Sequence, residues 1–252
     1  PAGTRYEETD TRKIFRRKSA PSASDTLTTD TGWVATNSEF AHSTGKLTFD
    51  PIRRNTTAQH IYIDLQDSDW LGSGNNLSDT AWLVRLGKLK TTGFGGSGDS
   101  FLQLSLSSTT GDSGSTQDGV GIQISYQSEY TGNFQAQACN DGNFEGTNRV
   151  YSSFTLQNTA SFDKYIEIKK TAASGSNNFT LSVFPDDTYD TADESVTLTQ
   201  TCTSLRYIKF QNVCDQTNSN VTGSAELSGG IQVYNGVSTA TNVESWVEKG
   251  TA

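Results

Sequence analysis

Paired carboxylates would be the most direct sign of catalysis in this chain, because glycoside hydrolysis uses two acids roughly 5–10 Å apart around one sugar. On a strand, such acids would lie two or four positions apart. Glu167 lies in an alternating run but has no acidic residue two positions away. Five other acidic residues lie between positions 186 and 194, next to Pro185, where a loop is expected. We interpret them as solvated loop residues and predict that the protein is not an enzyme.

A serine nucleophile is the second chemistry to consider. Ser113 lies in the segment Gly111–Gly114, and His42 and His60 are the only histidines that could act as its base. A catalytic triad also needs a buried acid that orients the base, and oxyanion donors opposite the serine. Because this serine lies in a Gly/Ser-rich turn between two strand-like runs, a polar loop is the better interpretation. No catalytic residue is assigned.

Calcium binding is an alternative use of the acidic loops, since Ca²⁺ takes oxygen ligands from flexible segments. Asp112 and Asp118, or else Asp186 and Asp187, would supply two carboxylates together with backbone carbonyls. No complete set of ligands can be read from the sequence. Calcium is therefore an optional cofactor in this prediction.

Glycan binding would use an aromatic ring beside amide and carboxylate groups. Trp70, Tyr130 and Tyr189 lie in or near polar segments, and they are the candidate glycan-binding residues. Trp33 and Trp82 lie in strand-like runs, so they are expected to pack inside the fold.

Four Asn-x-Ser/Thr sequences are acceptors for N-linked glycosylation. Their asparagines are Asn55, Asn76, Asn178 and Asn220. Three of them adjoin turn-like segments, where a glycan would be tolerated, whereas Asn178 opens a predicted strand.

Alternation of apolar and polar residues dominates the rest of the chain. Period-two alternation predicts strands with one buried face. The apolar residues of these runs lie within 61–65, 102–106, 122–126, 166–168, 179–183, 208–210 and 231–233. Gly-rich segments separate the runs, and no helical period is evident, so we predict an all-β fold. Two antiparallel sheets packed as a jelly-roll sandwich fit this pattern best.

Charge and hydropathy exclude several partners. The net charge is −9, which disfavours nucleic acid, because phosphate binding needs a basic face. No apolar run approaches the length of a membrane helix, so membrane insertion is not expected. Residues 1–18 are basic, with six Lys/Arg and three acidic residues. This basic arm on an acidic body suggests contact between copies of the chain, although a solvated tail remains the alternative.

Nine stretches of the chain carry a resemblance to a known family. They are Gly32–Val34, Ile61–Leu65, Trp82–Leu86, Phe101–Leu106, Asp118–Ile124, Tyr165–Ile168, Asn178–Phe184, Leu205–Asn212 and Gly230–Asn235. In their order and spacing they resemble the concanavalin A-like, laminin G-like jelly rolls of viral and environmental sequences. The resemblance implies a lectin-like sandwich over residues 25–240.

The two ends carry a second resemblance. Gly3–Phe15 resembles a short motif of phage-like and archaeal-virus structural proteins, where a segment like Ser245–Gly250 usually follows closely. We expect residues 1–24 and 241–252 to pair, with the jelly roll inserted between them. The residues expected to act in assembly are Arg12, Lys13, Phe15, Arg16, Arg17 and Trp246.

Two functions remain open from the sequence. The first is a non-enzymatic structural subunit of a virion, tail or extracellular fibre, which assembles with copies of itself through its terminal segments. The second is a carbohydrate-binding lectin module that attaches to surface glycans. Either function implies a location in the virion or on an extracellular surface.

Overall fold

The computed structural model describes most of the chain. The described residues are 5–8, 13–16, 21–29, 32–52, 59–93, 100–111, 115–127, 130–144, 146, 148–155, 162–173, 176–212, 223–237 and 247–251. Side chains are described for all of these except residues 5–8, 13–16, 100, 126–127, 130–133, 172–173, 176–177 and 247–251.

The secondary structure of this described part consists of strands, with no helix, and hence no helix suited to crossing a membrane. The strands are β1 (Arg5–Glu8), β2 (Lys13–Arg16), β3 (Ala23–Asp25), β4 (Val34–Ala35), β5 (Phe40–Ser43), β6 (Lys46–Phe49), β7 (His60–Asp64), β8 (Trp82–Thr92), β9 (Ser100–Ser107), β10 (Gln117–Gln127), β11 (Tyr130–Gly142), β12 (Arg149–Ser153), β13 (Asp163–Ala173), β14 (Ser176–Phe184), β15 (Glu194–Thr199), β16 (Tyr207–Gln211), β17 (Ser224–Asn235) and β18 (Val247–Thr251).

Two antiparallel sheets form the predicted sandwich. The seven-stranded sheet has the order β12-β11-β10-β9-β16-β7-β4. The second sheet has the order β15-β14-β13-β8-β17-β6-β5, and β3 pairs with β17 beside this path. The all-β, two-sheet prediction is therefore confirmed.

The core lies between these sheets and is built from the apolar half of each alternating run. In β9, Leu102, Leu104 and Leu106 are at most 1% exposed, and the facing sheet contributes residues such as Ile166 and Ile168. Full burial of one such side chain stabilises the fold by about 1.5–3 kcal/mol. Trp33 and Trp82 are also buried, as predicted.

One segment that is rich in turn-forming residues is the end of a strand. Residues 140–143 are rich in turn formers, yet β11 runs to Gly142, which pairs with Gln117. The backbone N–H of Asp141 donates to Oδ1 of Asp118 at 2.8 Å. This side-chain acceptor holds the strand end in place and outweighs the local turn preference.

Strands from the two ends of the chain form a separate three-stranded sheet, in the order β1-β2-β18. Tyr6 lies opposite Phe15, and Phe15 lies opposite Glu248. The sandwich itself begins before residue 25, because Ala23 and Ser24 pair with β17.

Candidate functional site

The surface of the seven-stranded sheet that faces away from the core is polar. In β9, Gln103, Ser105 and Ser107 alternate with the core leucines, so they lie on this opposite side. The same alternation in the neighbouring strands defines a polar face. Its residues are His60, Tyr62, Asp64, Gln103, Ser105, Ser107, Gly121, Gln123, Ser125, Gln135, Gln137, Arg149, Tyr151, Ser153, Tyr207, Lys209 and Gln211.

Five glutamines of the polar face form a hydrogen-bonded relay across four strands. Nε2 of Gln211 donates to Oε1 of Gln103 at 2.6 Å, and Nε2 of Gln103 donates to Oε1 of Gln137 at 3.4 Å. Nε2 of Gln137 then donates to Oε1 of Gln123 at 2.6 Å and to Oε1 of Gln135 at 3.3 Å. The relay fixes the orientation of amides that would otherwise rotate.

The relay runs from a buried end to an open border. Gln103, Gln137 and Gln211 are fully buried, whereas Gln123 and Gln135 are partly exposed. Edge strand β12 lies next to Gln135, with Gln123 one strand farther from the edge, and it carries an exposed Ser153 and Tyr151, which is 57% exposed. The guanidinium carbon of Arg149 lies 4.8 Å from the centre of the Tyr151 ring, which is close enough for a cation–π contact. We call Gln123, Gln135, Arg149, Tyr151 and Ser153 the Tyr151 border.

One end of the polar face is covered by two neighbouring segments. Nζ of Lys209 bonds to the carbonyl of Gly111, and Oγ of Ser107 donates to the carbonyl of Thr109 at 2.7 Å. These bonds hold the turn after β9 over the sheet. The ring of Phe144 lies against Gly119, since a Cβ at Gly119 would meet the ring at 2.5 Å. This end is therefore closed, unlike the Tyr151 border.

Two buried polar atoms of the face lack a hydrogen-bond partner within the described part of the chain. They are Oγ of Ser105 and Oε1 of Gln211. An unsatisfied buried polar group costs about 1–3 kcal/mol, so natural proteins keep few of them. One of them, Oε1 of Gln211, ends the relay on its buried side.

The opposite side of the polar face carries an ion pair. Nε of Arg206 donates to Oδ1 of Asp64 at 2.8 Å, and this bond lowers the pKa of Asp64 below its ordinary value. Among the polar-face residues, Asp64 is the one carboxylate, and it is paired. A two-carboxylate mechanism needs a second acid beside the sugar, and no other carboxylate belongs to the described polar-face residues.

The structure places two of the three candidate glycan-binding residues in structural roles. Trp70 is 6% exposed and belongs to the core, because its ring turns inward from a polar turn. Tyr189 donates its hydroxyl to the carbonyl of Leu86 at 3.1 Å, and its ring lies 4.2 Å from the guanidinium carbon of Arg85. Tyr130 begins β11, and its side chain lies outside the described part.

The candidate calcium ligand Asp118 is already committed to protein donors. Its Oδ1 accepts from the N–H of Asp141, and its Oδ2 accepts from the N–H of Thr203 at 2.7 Å and its hydroxyl at 3.1 Å. Across the residues described, no group of three or more His, Cys, Asp or Glu is arranged to hold a metal. Asp112 lies outside the described residues. Asp118 therefore does not by itself fit a calcium site.

The remaining predicted residues fall into two groups. Asn76 is partly buried and accepts a bond from Gln66 at 2.9 Å, while Asn178 accepts from Thr199 at 2.8 Å. Strand β2 contains Lys13, Phe15 and Arg16. Outside the described residues lie Asn55, Asn220, Arg12, Arg17 and Trp246.

Sequence reasoning missed the residues of the Tyr151 border and the relay. The signal was present in the polar half of the alternation, where glutamine recurs in β9, β10, β11 and β16. The interpretation of the sequence used the apolar half of the alternation, because that half predicts the core. Tyr151 lies in a short edge strand whose polar neighbours give no clear alternation.

No protein-family model and no curated protein matches the chain. Solved structures of similar shape do exist. The CBM2 module of the evolved Dit protein of Lactobacillus casei BL23 phage J-1 is 10% identical, with a TM-score of 0.51 over 91% of this chain and 99% of the module. The potassium-bound carbohydrate recognition domain of Emp46p is 13% identical, with a TM-score of 0.51 over 86% and 98% of the two chains.

An enzyme also shares the shape. An engineered GH43 glycoside hydrolase with endo-xylanase and exo-arabinofuranosidase activity is 11% identical, with a TM-score of 0.52 over 86% of this chain and 41% of its own. Identities this low show a common fold and not a common activity. The neighbours and the two antiparallel sheets together identify the fold as a concanavalin A-like jelly-roll sandwich.

Proposed function

We propose that this protein is a non-enzymatic carbohydrate-binding module and that the Tyr151 border is its glycan site. The observation that carries the proposal is an exposed aromatic ring beside two amides held by a buried relay. An aromatic ring offers a rigid apolar surface, and amides beside it offer directional hydrogen bonds. A sugar presents the complementary combination of an apolar C–H face and a polar rim.

Preorganisation strengthens this proposal. Binding normally loses affinity when it immobilises flexible side chains, at about 0.5–1.5 kcal/mol for each. Gln123 and Gln135 are already bonded to Gln137, so little of that entropy is lost on binding. Such a site suits a ligand that is recognised through hydroxyl, carbonyl or acid oxygens.

The proposal of a binding module rather than an enzyme is supported by the charges of the polar face. Hydrolysis by the usual route needs an acid and a second carboxylate on either side of the sugar. Asp64 is the single carboxylate among the polar-face residues, and it is bonded to Arg206. It lies in β7, near the edge of the sheet opposite to the edge that carries Tyr151. The described border instead offers amides, hydroxyls and a guanidinium.

Binding of soluble glycans to the purified protein tests this function. We expect at least one glycan of a broad array to bind, and Tyr151→Ala to weaken that binding by about tenfold. Val34→Ala is the matched control, because Val34 is an exposed apolar residue on the opposite edge of the same sheet. An array without any binding, or equal losses in the two variants, would refute the proposed site.

A second candidate function is a structural subunit of a virion, tail or extracellular fibre. It is supported by the terminal sheet, in which β2 pairs with both β1 and β18. A small sheet needs an apolar face packed against another surface for independent stability. Residues 1–18 carry six Lys/Arg and three acidic residues, whereas the whole chain carries −9. The acidic body of a neighbouring copy would supply a surface of opposite charge.

Sedimentation velocity and electron microscopy of the full chain test assembly. We expect concentration-dependent association that weakens at high salt, and we expect Arg16→Glu to reduce it. Lys90→Glu makes a similar charge change at an exposed position of β8 and serves as the control. A strict monomer at all concentrations would exclude this second function without affecting the glycan site.

A further inference from the structure

The relay turns the amide hydrogens of the Tyr151 border away from the buried glutamines. The amide of Gln137 donates to both Oε1 of Gln123 and Oε1 of Gln135. Because each oxygen is engaged inward, the NH₂ group of each partly exposed glutamine is left for other acceptors. Nε2 of Gln123 also lies 3.4 Å from Oγ of Ser125, at the long limit of a hydrogen bond.

The direction of the relay has a physical reason. If every amide were inverted, the buried end of the relay would carry the two amide hydrogens of Gln211 in place of its one carbonyl oxygen. Orphaned buried N–H groups are rarer in native proteins than under-satisfied carbonyls. The observed direction, with Oε1 of Gln211 at the buried end, is therefore the favoured one.

Arg149, the charged residue of the border, reinforces the same pattern of outward donors. Arg149 can only donate hydrogen bonds, and one of its NH₂ groups already bonds to the carbonyl of Phe144 at 2.6 Å. Its guanidinium remains partly exposed next to Tyr151. The border thus combines outward donors with a positive charge, on a chain whose net charge is −9.

From this arrangement we infer that the Tyr151 border recognises an acidic glycan. Carboxylates or sulfates of the sugar chain would accept hydrogen bonds from the amides of Gln135 and Gln123 on one side of Tyr151 and from Arg149 on the other, while a sugar ring packs on Tyr151. This inference rests on the proposed glycan-binding function and narrows its ligand class. Hydrogen bonds to an ionised acceptor are roughly twice as strong as those between neutral groups, which favours acidic over neutral sugars here.

The test uses the full chain and three polymers: polygalacturonate for carboxylates, dextran sulfate for sulfates and dextran as the neutral polymer. We expect at least one acidic polymer to bind about tenfold more tightly than dextran. Gln135→Glu keeps the shape and still accepts the bond from Gln137, but it replaces the outward donor with a negative charge. It should weaken binding of the acidic polymer by about tenfold or more.

Gln232→Glu is the matched control, because it makes the same change on the other sheet, where Oε1 of Gln232 accepts the hydroxyl of Tyr234 at 3.2 Å. It should leave the affinity within about twofold of that of the wild type. Preferential binding of dextran or of another neutral glycan would overturn the acidic ligand class but leave the glycan function standing. Undiminished binding of the acidic polymer by Gln135→Glu would also overturn it. Failure to bind any glycan would remove the proposed function itself.

Discussion

Ser105 shows how much a single buried hydroxyl reveals about the polar face. Its side chain is 2% exposed, and its Oγ has no partner in the described part of the chain. Ser182 is the informative comparison, because it is 4% exposed and its Oγ lies 2.7 Å from Oγ of Ser195. The two serines differ chiefly in whether their hydroxyl is satisfied.

Substitution of these serines by alanine should therefore have opposite consequences. Ser182→Ala breaks a hydrogen bond and should lower the free energy of unfolding by about 1 kcal/mol. Ser105→Ala removes an unsatisfied hydroxyl and should leave that free energy unchanged or raise it. Urea unfolding of both variants measures the difference. A loss in Ser105→Ala as large as in Ser182→Ala would mean that the Ser105 hydroxyl is satisfied after all.

The sequence predicted individual core residues better than individual site residues. Leu102, Leu104 and Leu106 were assigned to the core because burial follows directly from apolar alternation. Trp70 was a candidate glycan-binding residue because its neighbours are polar. Polar neighbours do not show whether the ring points into the core or into solvent. The exposure of Tyr151 depends on β12 being the edge of a sheet, which is a property of the topology and not of its local sequence.

The loop between β14 and β15 is an element whose acidic residues the sequence predicted to be solvated, and Asp186, Asp187, Asp190 and Asp193 are exposed. Residues 185–193 also form a strap over the outer surface of the paired strands β13 and β8, where the hydroxyl of Tyr189 donates to the carbonyl of Leu86. The ion pair of Arg85 and Glu167 lies beneath the ring of Tyr189. Nε of Arg85 is 3.0 Å from Oε2 of Glu167, and the two side chains are 5% and 7% exposed. Burial raises the pKa of Tyr189, which keeps its hydroxyl protonated as a donor.

Variants at Tyr189 should separate the ring from the hydroxyl. Tyr189→Phe loses one hydrogen bond and should lower the free energy of unfolding by about 1 kcal/mol. Tyr189→Ala also loses the ring packing, so it should cost about 3–5 kcal/mol and speed hydrogen exchange in residues 185–193. Denaturant unfolding with exchange mass spectrometry measures both effects. Equal, small losses in the two variants would contradict a strap held by its ring.

Strand existence was predictable from the sequence, whereas strand ends and neighbours were not. All seven alternating runs lie within or at the end of strands. The extension of β11 to Gly142 depends on Asp118, a residue distant in the sequence. The glutamine relay depends on the order β16-β9-β10-β11, because this order brings amides of four strands together, and the bond from Gln103 to Gln137 crosses β10.

The free energy of unfolding of the whole molecule should depend on the Asp64–Arg206 pair at acidic pH. The bond from Arg206 lowers the pKa of Asp64 in the folded state. The pair therefore stabilises the fold above the unfolded-state pKa of about 4, and this contribution is lost as the pH falls through the lower folded-state value.

Asp64→Asn should consequently make the free energy of unfolding less dependent on pH between about 5 and 2. Asp69→Asn removes a carboxylate from a neighbouring exposed position and serves as the comparison. Urea unfolding across this pH range is the measurement. A pH profile of Asp64→Asn that superimposes on that of the wild type would contradict the assigned role of the pair.

Glycan recognition at the Tyr151 border is the central claim, and mapping a bound glycan by backbone-amide NMR tests it most directly. The protein would be titrated with a short oligosaccharide of whichever polymer it binds. We predict that the perturbed amides cluster in β10, β11 and β12, around Gln123, Gln135 and Tyr151. Perturbations confined to the opposite edge at β4 and β7, or to the strap at residues 185–193, would contradict the claim.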